Sequence, residues 1–317
     1  MTVYALRIGL VAGGLLSSAT PAEAVSFSFA QIAGDTLSDV QAQAFAAAAA
    51  AWSAVLTDPV AVSIGIGFRD LGTGAGGGAV LGATRPGFGT VSYAGFAGAL
   101  AADARSSTDQ AAAHLPATGP SPRITLTTAE ARALGFAAPV ATDGSIEFSS
   151  NSQVTFATTR MDLQAGRYDL IGTATHEIGH LLGFDSALDT GSATRTALDA
   201  FRYAGLGAPG FAAGQAAYFS VDGGATSLAS FSVGGSGQYQ ASHWLQGTGG
   251  LMDPAVLDGV EKDITPLDVV ALDTVGWDAT VAEPPSGAVL LAGLGLLGLW
   301  RMRSGCRDQK AQRRENA

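Results

Sequence analysis

Residues 60–68, VAVSIGIGF, alternate strictly along the chain. Val60, Val62, Ile64, Ile66 and Phe68 take one face and mostly small residues the other, the pattern of a half-buried strand. Ahead of it, Ser38 and Gln41 form a capping-box pattern, which predicts an alanine-rich helix running to about Leu56. Phe45 and Trp52 lie seven apart on one face of that helix. Residues 71–100 are rich in glycine and read as a long loop or irregular strand. Residues 144–157 predict two short strands, one around Ile146 and Phe148 and one around Val154 and Phe156, on either side of a polar turn. Residues 169–183, DLIGTATHEIGHLLG, predict a helix with Asp169 at its N-cap and Gly183 at its end. Near the end of the body, Thr265 as N-cap, Pro266 at the first helical position and Gly276 as a stop predict a last helix. No repeat is found. A helix, strands and then further helices make an α+β fold.

Composition changes this picture at the two ends. The 317 residues allow one domain with processing segments on either side. Residues 1–24 read as a secretory signal peptide: Arg7 supplies the positive region, IGLVAGGLL is an apolar stretch too short to span a membrane, and Ala-Glu-Ala precedes Val25. Residues 25–282 are the expected folded body, with subdomains of about 25–183 and 184–282. At the other end, residues 287–300 are apolar and are followed by a basic cluster. A helix of that length is roughly 21 Å long, short of the ~30 Å hydrocarbon core. Interfacial anchoring by Trp300 and Arg301 would lengthen its reach, with the arginines on the cytoplasmic side. The tail from residue 283 to 317, with Glu283-Pro284-Pro285, an apolar helix and arginines, resembles the PEP-CTERM sorting signal of Gram-negative bacteria, although the motif itself is not Pro-Glu-Pro. That resemblance implies sorting machinery of the cell envelope as a partner and an extracellular or cell-surface body, touching membrane only through this segment. An ordinary weak membrane anchor is the simpler alternative.

Charge excludes one class of partner. Residues 25–282 carry 10 basic and 23 acidic side chains, a net of −13. Such a body repels a phosphate backbone, so nucleic acid is not an expected partner. The single cysteine, Cys306, lies in the tail and excludes an internal disulfide. The 184–282 region is therefore expected to be held by packing alone.

The chemistry lies in residues 176–186, HEIGHLLGFDS. His176 and His180 are four apart, hence about 40° apart around a helix axis and one turn along it, so both imidazoles reach one ion. Leu170, Ala174, Ile178 and Leu181 fall opposite and suit a core. Glu177, beside the first histidine, is placed to hold a water on the metal as general base. A chance match is the competing explanation. It is weakened by the predicted helix, the export signal and the extended HExxHxxGF form. Two histidines leave the site short of the three protein ligands usual for catalytic zinc. Asp185 and Asp189 lie near but out of register. Only two other histidines exist: His114, in an expected exposed loop, and His243, nine residues before Met252 in a Gly-Leu-Met-Asp-Pro turn.

HExxHxxGF, a long insertion, Ser242-His243-Trp244 and then the methionine turn are similar to the leishmanolysin-like metzincins. In many metzincins the third ligand follows the first histidine by ten residues, where this chain has Ser186. The leishmanolysin-like group displaces it far downstream, and the 63 positions from His180 to His243 are close to that family's spacing. The resemblance implies that His176, His180 and His243 bind one catalytic Zn2+, that Glu177 is the base, and that Met252 forms a turn beneath the metal. It implies a catalytic domain with a cleft between an N-terminal sheet subdomain and a smaller C-terminal one. The long insertion, with TALDAFRYAGLG and QAAYFSVDGG, is expected to pack a helix and a strand beside the cleft. The activity implied is an exported zinc endopeptidase acting on protein or peptide substrates. A non-catalytic surface or matrix protein with a structural metal site, and a zinc hydrolase of a non-peptide surface polymer, are the alternatives.

Overall fold

The computed structural model describes residues 24–74, 77–106, 115 and 119–280. The expected signal peptide (to residue 23), the sorting tail from 283 to 317 and His114 lie outside the described residues. The described residues up to Ala279 belong to one compact unit, and Thr280–Ala317 is assigned to a second.

The polar and apolar rhythm becomes a four-stranded mixed sheet. Strands β1 (Ser26–Gln31), β2 (Ala61–Arg69) and β6 (Gly144–Ser149) run parallel, and β3 (Gly82–Pro86) closes the edge antiparallel to β6, in the order β1-β2-β6-β3. The alternation in β2 is the expected one: Val62, Ile64 and Ile66 are buried and the intervening residues are less so. Helix α1 (Asp39–Ser53) crosses between β1 and β2, with the Ser38–Gln41 capping box formed as expected. Its Phe45 ring stacks on Phe148 of β6 at 4.9 Å and lies 6.3 Å from Phe68, which fixes the helix to the sheet. At its penultimate residue, the Trp52 indole N–H donates to the Thr175 carbonyl of helix α4 (Leu170–Leu181) at 2.9 Å. The sheet, α1 and α4 thus share one core.

The glycine-rich stretch is more ordered than expected. It contains β3, β4 (Phe88–Ser92) and helix α2 (Tyr93–Asp103), whose start is capped by Ser92. Of the glycines there, Gly82 marks a close approach, to Glu177, whereas Gly72 and Gly77 take positive φ with open space around them. β4 pairs with β5 (Arg123–Thr127), which leads directly into the short helix α3 (Thr128–Ala133), and β9 (Arg195–Thr196) lies alongside β5. The second strand expected in residues 144–157 shrinks to β7 (Phe156–Ala157), paired with β8 (Tyr168–Asp169), and Val154 falls in the turn.

After α4 the chain is irregular. The helix expected in TALDAFRYAGLG is only a 3-10 turn over Leu198–Phe201. It enters a small antiparallel sheet of β10 (Arg202–Gly205), β11 (Ala208–Pro209), β12 (Tyr218–Phe219) and β13 (Ala229–Ser230). Nor is this region held by packing alone. Buried Arg202 donates to the carbonyls of Ala241 (3.0 Å) and Ser232 (2.5 Å) and lies 4.4 Å from the centre of the Phe231 ring. The last helix, α5 (Pro266–Thr274), starts at Thr265 as expected, and past it the Trp277 indole donates to the Leu182 carbonyl at 2.7 Å, returning the chain to the end of α4. Among the described residues no helix is long and apolar enough to cross a membrane.

Candidate metal centre

Helix α4 buries Leu170, Ala174, Ile178 and Leu181 almost completely, so its other face is obliged to carry the histidines toward the cleft. Asp169 sits at its N-cap without capping it. Its carboxylate instead accepts the Lys262 backbone N–H at 3.2 Å and lies 3.4 Å from the Arg160 guanidinium. Gly183 ends the helix at φ +120°, a conformation that suits glycine. A side chain there would also meet the buried Glu130 carboxylate at 2.9 Å.

The three histidines singled out from the sequence meet. His180 Nε2 is 3.1 Å from His176 Nε2 and 3.2 Å from His243 Nε2. Among the described residues they form the one group of potential metal ligands, with ligand atoms all within 4.8 Å of one another. Each Nδ1 faces a backbone carbonyl: Leu251 for His176 (2.9 Å), Phe184 for His180 (2.7 Å) and Gln240 for His243 (3.3 Å). A carbonyl only accepts, so each Nδ1 carries a proton, and in a neutral ring Nε2 then offers a bare lone pair. Burial, helped by His176 and opposed by the Phe184 carbonyl, pushes His180 down to about 3. Burial also pushes His243 well below the ordinary histidine value. Both rings are neutral at pH 7. Lone pairs aimed at one another at this distance repel, and a cation between them removes the conflict. Nitrogens bound tetrahedrally at ~2.0–2.1 Å stand about 3.3–3.4 Å apart, close to what is found. Backbone acceptors on the far ring nitrogens are the usual support for ligating histidines. The donor set fits a metal ion, and its chemistry does not by itself name the element.

Glu177 is 5% exposed beside His176. Burial pushes its carboxyl above the ordinary carboxylate range, opposed by His176 and by the Thr84 hydroxyl. All four residues line a cleft of about 850 Å³. One wall is β3 and the glycine-rich chain before it, and the other is built from residues 238–243 and 253–257.

Met252 is fully buried, and a side chain at Gly179 would meet its sulfur at 2.7 Å. Gly179 therefore lets the methionine turn pack against α4 between the two helical ligands. Ser186 lines the cleft, but its hydroxyl is engaged elsewhere, donating to Asp199 at 2.7 Å. Asp185 lines the cleft but belongs to no ligand group, and Asp189 accepts the backbone N–H groups of Gly235 (2.7 Å) and Ala241 (2.6 Å).

Several supporting residues were not singled out in the sequence. Asp268 is fully buried and accepts the Trp244 indole (2.8 Å), the N–H groups of Leu251 (2.9 Å), Met252 (3.3 Å) and Thr265 (2.9 Å), and the Thr265 hydroxyl (2.6 Å). One carboxylate thus joins the chain just after His243, the carbonyl partner of His176 and the methionine turn. The signal available was Thr265 with Asp268 three residues on, which reads as a capping box and conceals the rest. Thr84 and Gly82, both against Glu177, had no local signal. Comparison of the chain with family models, curated proteins and solved structures finds no match to any of them.

Proposed function

We propose that this protein is an exported zinc-dependent endopeptidase of the metzincin type, resembling leishmanolysins in its displaced third histidine. The convergence of three Nε2 lone pairs beside a buried glutamate in an open cleft carries this reading. His176, His180 and His243 hold the ion, and zinc in such a site supplies a Lewis acid that polarises water and the scissile carbonyl. Glu177 takes a proton from the attacking water and returns it to the leaving amine. A purely structural metal site has no use for that base.

The cleft also favours peptide over other polymers. β3 is an edge strand, and among the described residues nothing pairs with its outer side. An extended peptide adds readily to such an edge through main-chain hydrogen bonds, and residues 78–86 line the cleft. The sorting signal read in residues 283–317 would deliver this activity to the cell envelope or outside it.

The test is hydrolysis of casein or gelatin by purified protein, with metal content measured, before and after chelation. Hydrolysis that is lost with the metal and restored by Zn2+ supports the proposal. A metal-loaded protein inert on both substrates overturns it in favour of a structural site or a non-peptide substrate.

A further inference from the structure

We propose that Thr84 is a positioning residue that holds the Glu177 carboxylate in one orientation, and that Gly82 is bare in order to leave room for it. The proposal rests on the reading of Glu177 as general base. In a strand, positions two apart share a face, so 82 and 84 look the same way from β3. On that face they meet Glu177. The Thr84 hydroxyl is 2.7 Å from Glu177 Oε2 and 2.9 Å from the Glu177 carbonyl. With one proton to give, it favours the charged acceptor, where the hydrogen bond is stronger. Oε2 is thereby engaged.

Oε1 lies over Gly82. A Cβ on that glycine would stand 2.5 Å from Oε1, 2.8 Å from Cγ and 2.9 Å from Cδ, inside van der Waals contact with half the side chain. The absence of a side chain at 82 is therefore a condition for the observed placement of Glu177. The two oxygens of a carboxylate exchange by rotation about the last torsion, which is soft. Thr84 removes that freedom by holding Oε2, and leaves Oε1 as the oxygen that accepts the proton. Both β3 residues and Glu177 line the same cleft, so the orientation is set on the side where the reaction occurs. The edge strand thus serves the base as well as the substrate.

Thr84→Val keeps the shape and removes the hydroxyl, and Thr84→Ser keeps the hydroxyl. Steady-state kinetics on a peptide, metal content and crystal structures of the metal-loaded wild type and variants form the test. Thr84→Val should lower kcat by about 10- to 100-fold with KM and metal content near wild type, because a displaced base loses the near-attack geometry. Thr84→Ser should restore most of that loss. Gly82→Ala should lower kcat with the metal retained. In the structures, Glu177 should hold one orientation in the wild type and Thr84→Ser, and turn or split in Thr84→Val. Wild-type kcat in Thr84→Val, or failure of Thr84→Ser to rescue, overturns the proposal. A wild type inert on peptides removes the peptidase reading alone. The structures still decide the positioning, since an unmoved Glu177 in Thr84→Val overturns it whatever the activity.

Discussion

The two sides of the metal centre are built by different forces. His176 and His180 stand on α4, a regular helix that buries an apolar face against α1 and the main sheet. Phe45, Trp52, Phe148 and Ile178 are each no more than 1% exposed there. His243 stands on an irregular segment whose strands β11, β12 and β13 are two residues long. That segment is pinned by polar groups, of which Asp199, Arg202 and Asp268 are buried and Asp189 is exposed. Asp189 and Arg202 both hold Ala241, two residues before the ligand. Asp268 holds Trp244, one residue after it. Asp199 holds the start of the excursion through Ser186 and the N–H groups of Ala187 and Thr196. Apolar packing is non-directional and tolerates repacking, whereas each buried carboxylate is directional and costly to leave unpaired. The first side is a stable platform, and the second is precise but depends on a few atoms.

Removing a ligand should have the largest effect. His243→Ala should weaken zinc binding at least 10- to 100-fold and abolish hydrolysis, while His114→Ala changes neither. Zinc content after dialysis measures this. Asp185→Ala and Asp189→Ala are the controls, and a zinc-loaded, active His243→Ala protein would return the third ligand to the residues just after Gly183. Glu177→Gln should keep the zinc and lose the activity.

Stability changes should separate the two regions next. Phe45→Ala should cost about 3–5 kcal/mol by urea unfolding, yet leave the zinc affinity of the folded protein nearly unchanged. Asp268→Ala should cost about 3 kcal/mol, since it strands several buried donors. It should also weaken zinc binding, because both the Leu251 carbonyl and the chain beside His243 lose their anchor. Equal effects of the two substitutions on zinc affinity would erase the distinction drawn between the regions.

The smallest effect concerns pH. Burial raises Asp58 from 3.8 to about 7, with the carboxylates of Asp278 and Asp103 adding to the rise and the Asp278 N–H opposing it. Arg105 lies 2.7 Å from Asp278 on the same side. Between the unfolded value near 4 and the folded value near 7, the folded protein holds a proton that the unfolded chain has released. Stability contributed by this group is therefore present at low pH and lost as pH rises through that window. Asp58→Asn should flatten the decline in Tm between about pH 4 and pH 7. An unchanged slope would move the cause to Asp185, which burial also raises to about 7.

What was legible in the sequence was local. The α1 capping box, the alternation of β2 and the Thr265-Pro266 helix start each involve residues a few positions apart. The same is true of the α4 face that carries His176, Glu177 and His180. The glycine-rich region misled because glycine is written identically whether it marks a loop or a close approach. Gly82 lies in a strand and is bare because Glu177 presses on it. Likewise, TALDAFRYAGLG carries a helix-like pattern, but Asp199 accepts from Ser186 and from the Ala187 and Thr196 N–H groups, and the segment stops at one 3-10 turn.

The residue order alone therefore determined part of the candidate centre: two histidines one turn of helix apart with Glu177 between them, and the apolar residues that bury the opposite face. The placement of His243 against His180, 63 positions away, was expected from a resemblance but followed from no local pattern, and is seen only in three dimensions. The hold of Thr84 on Glu177, 93 positions away, and the reach of Asp268 to Trp244 were decided only there. Helical periodicity is a property of neighbouring residues and can be read from their spacing. A contact across a long excursion depends on the path of every residue between, and that path is set by buried carboxylates whose partners are mostly backbone N–H groups, which no side-chain pattern records.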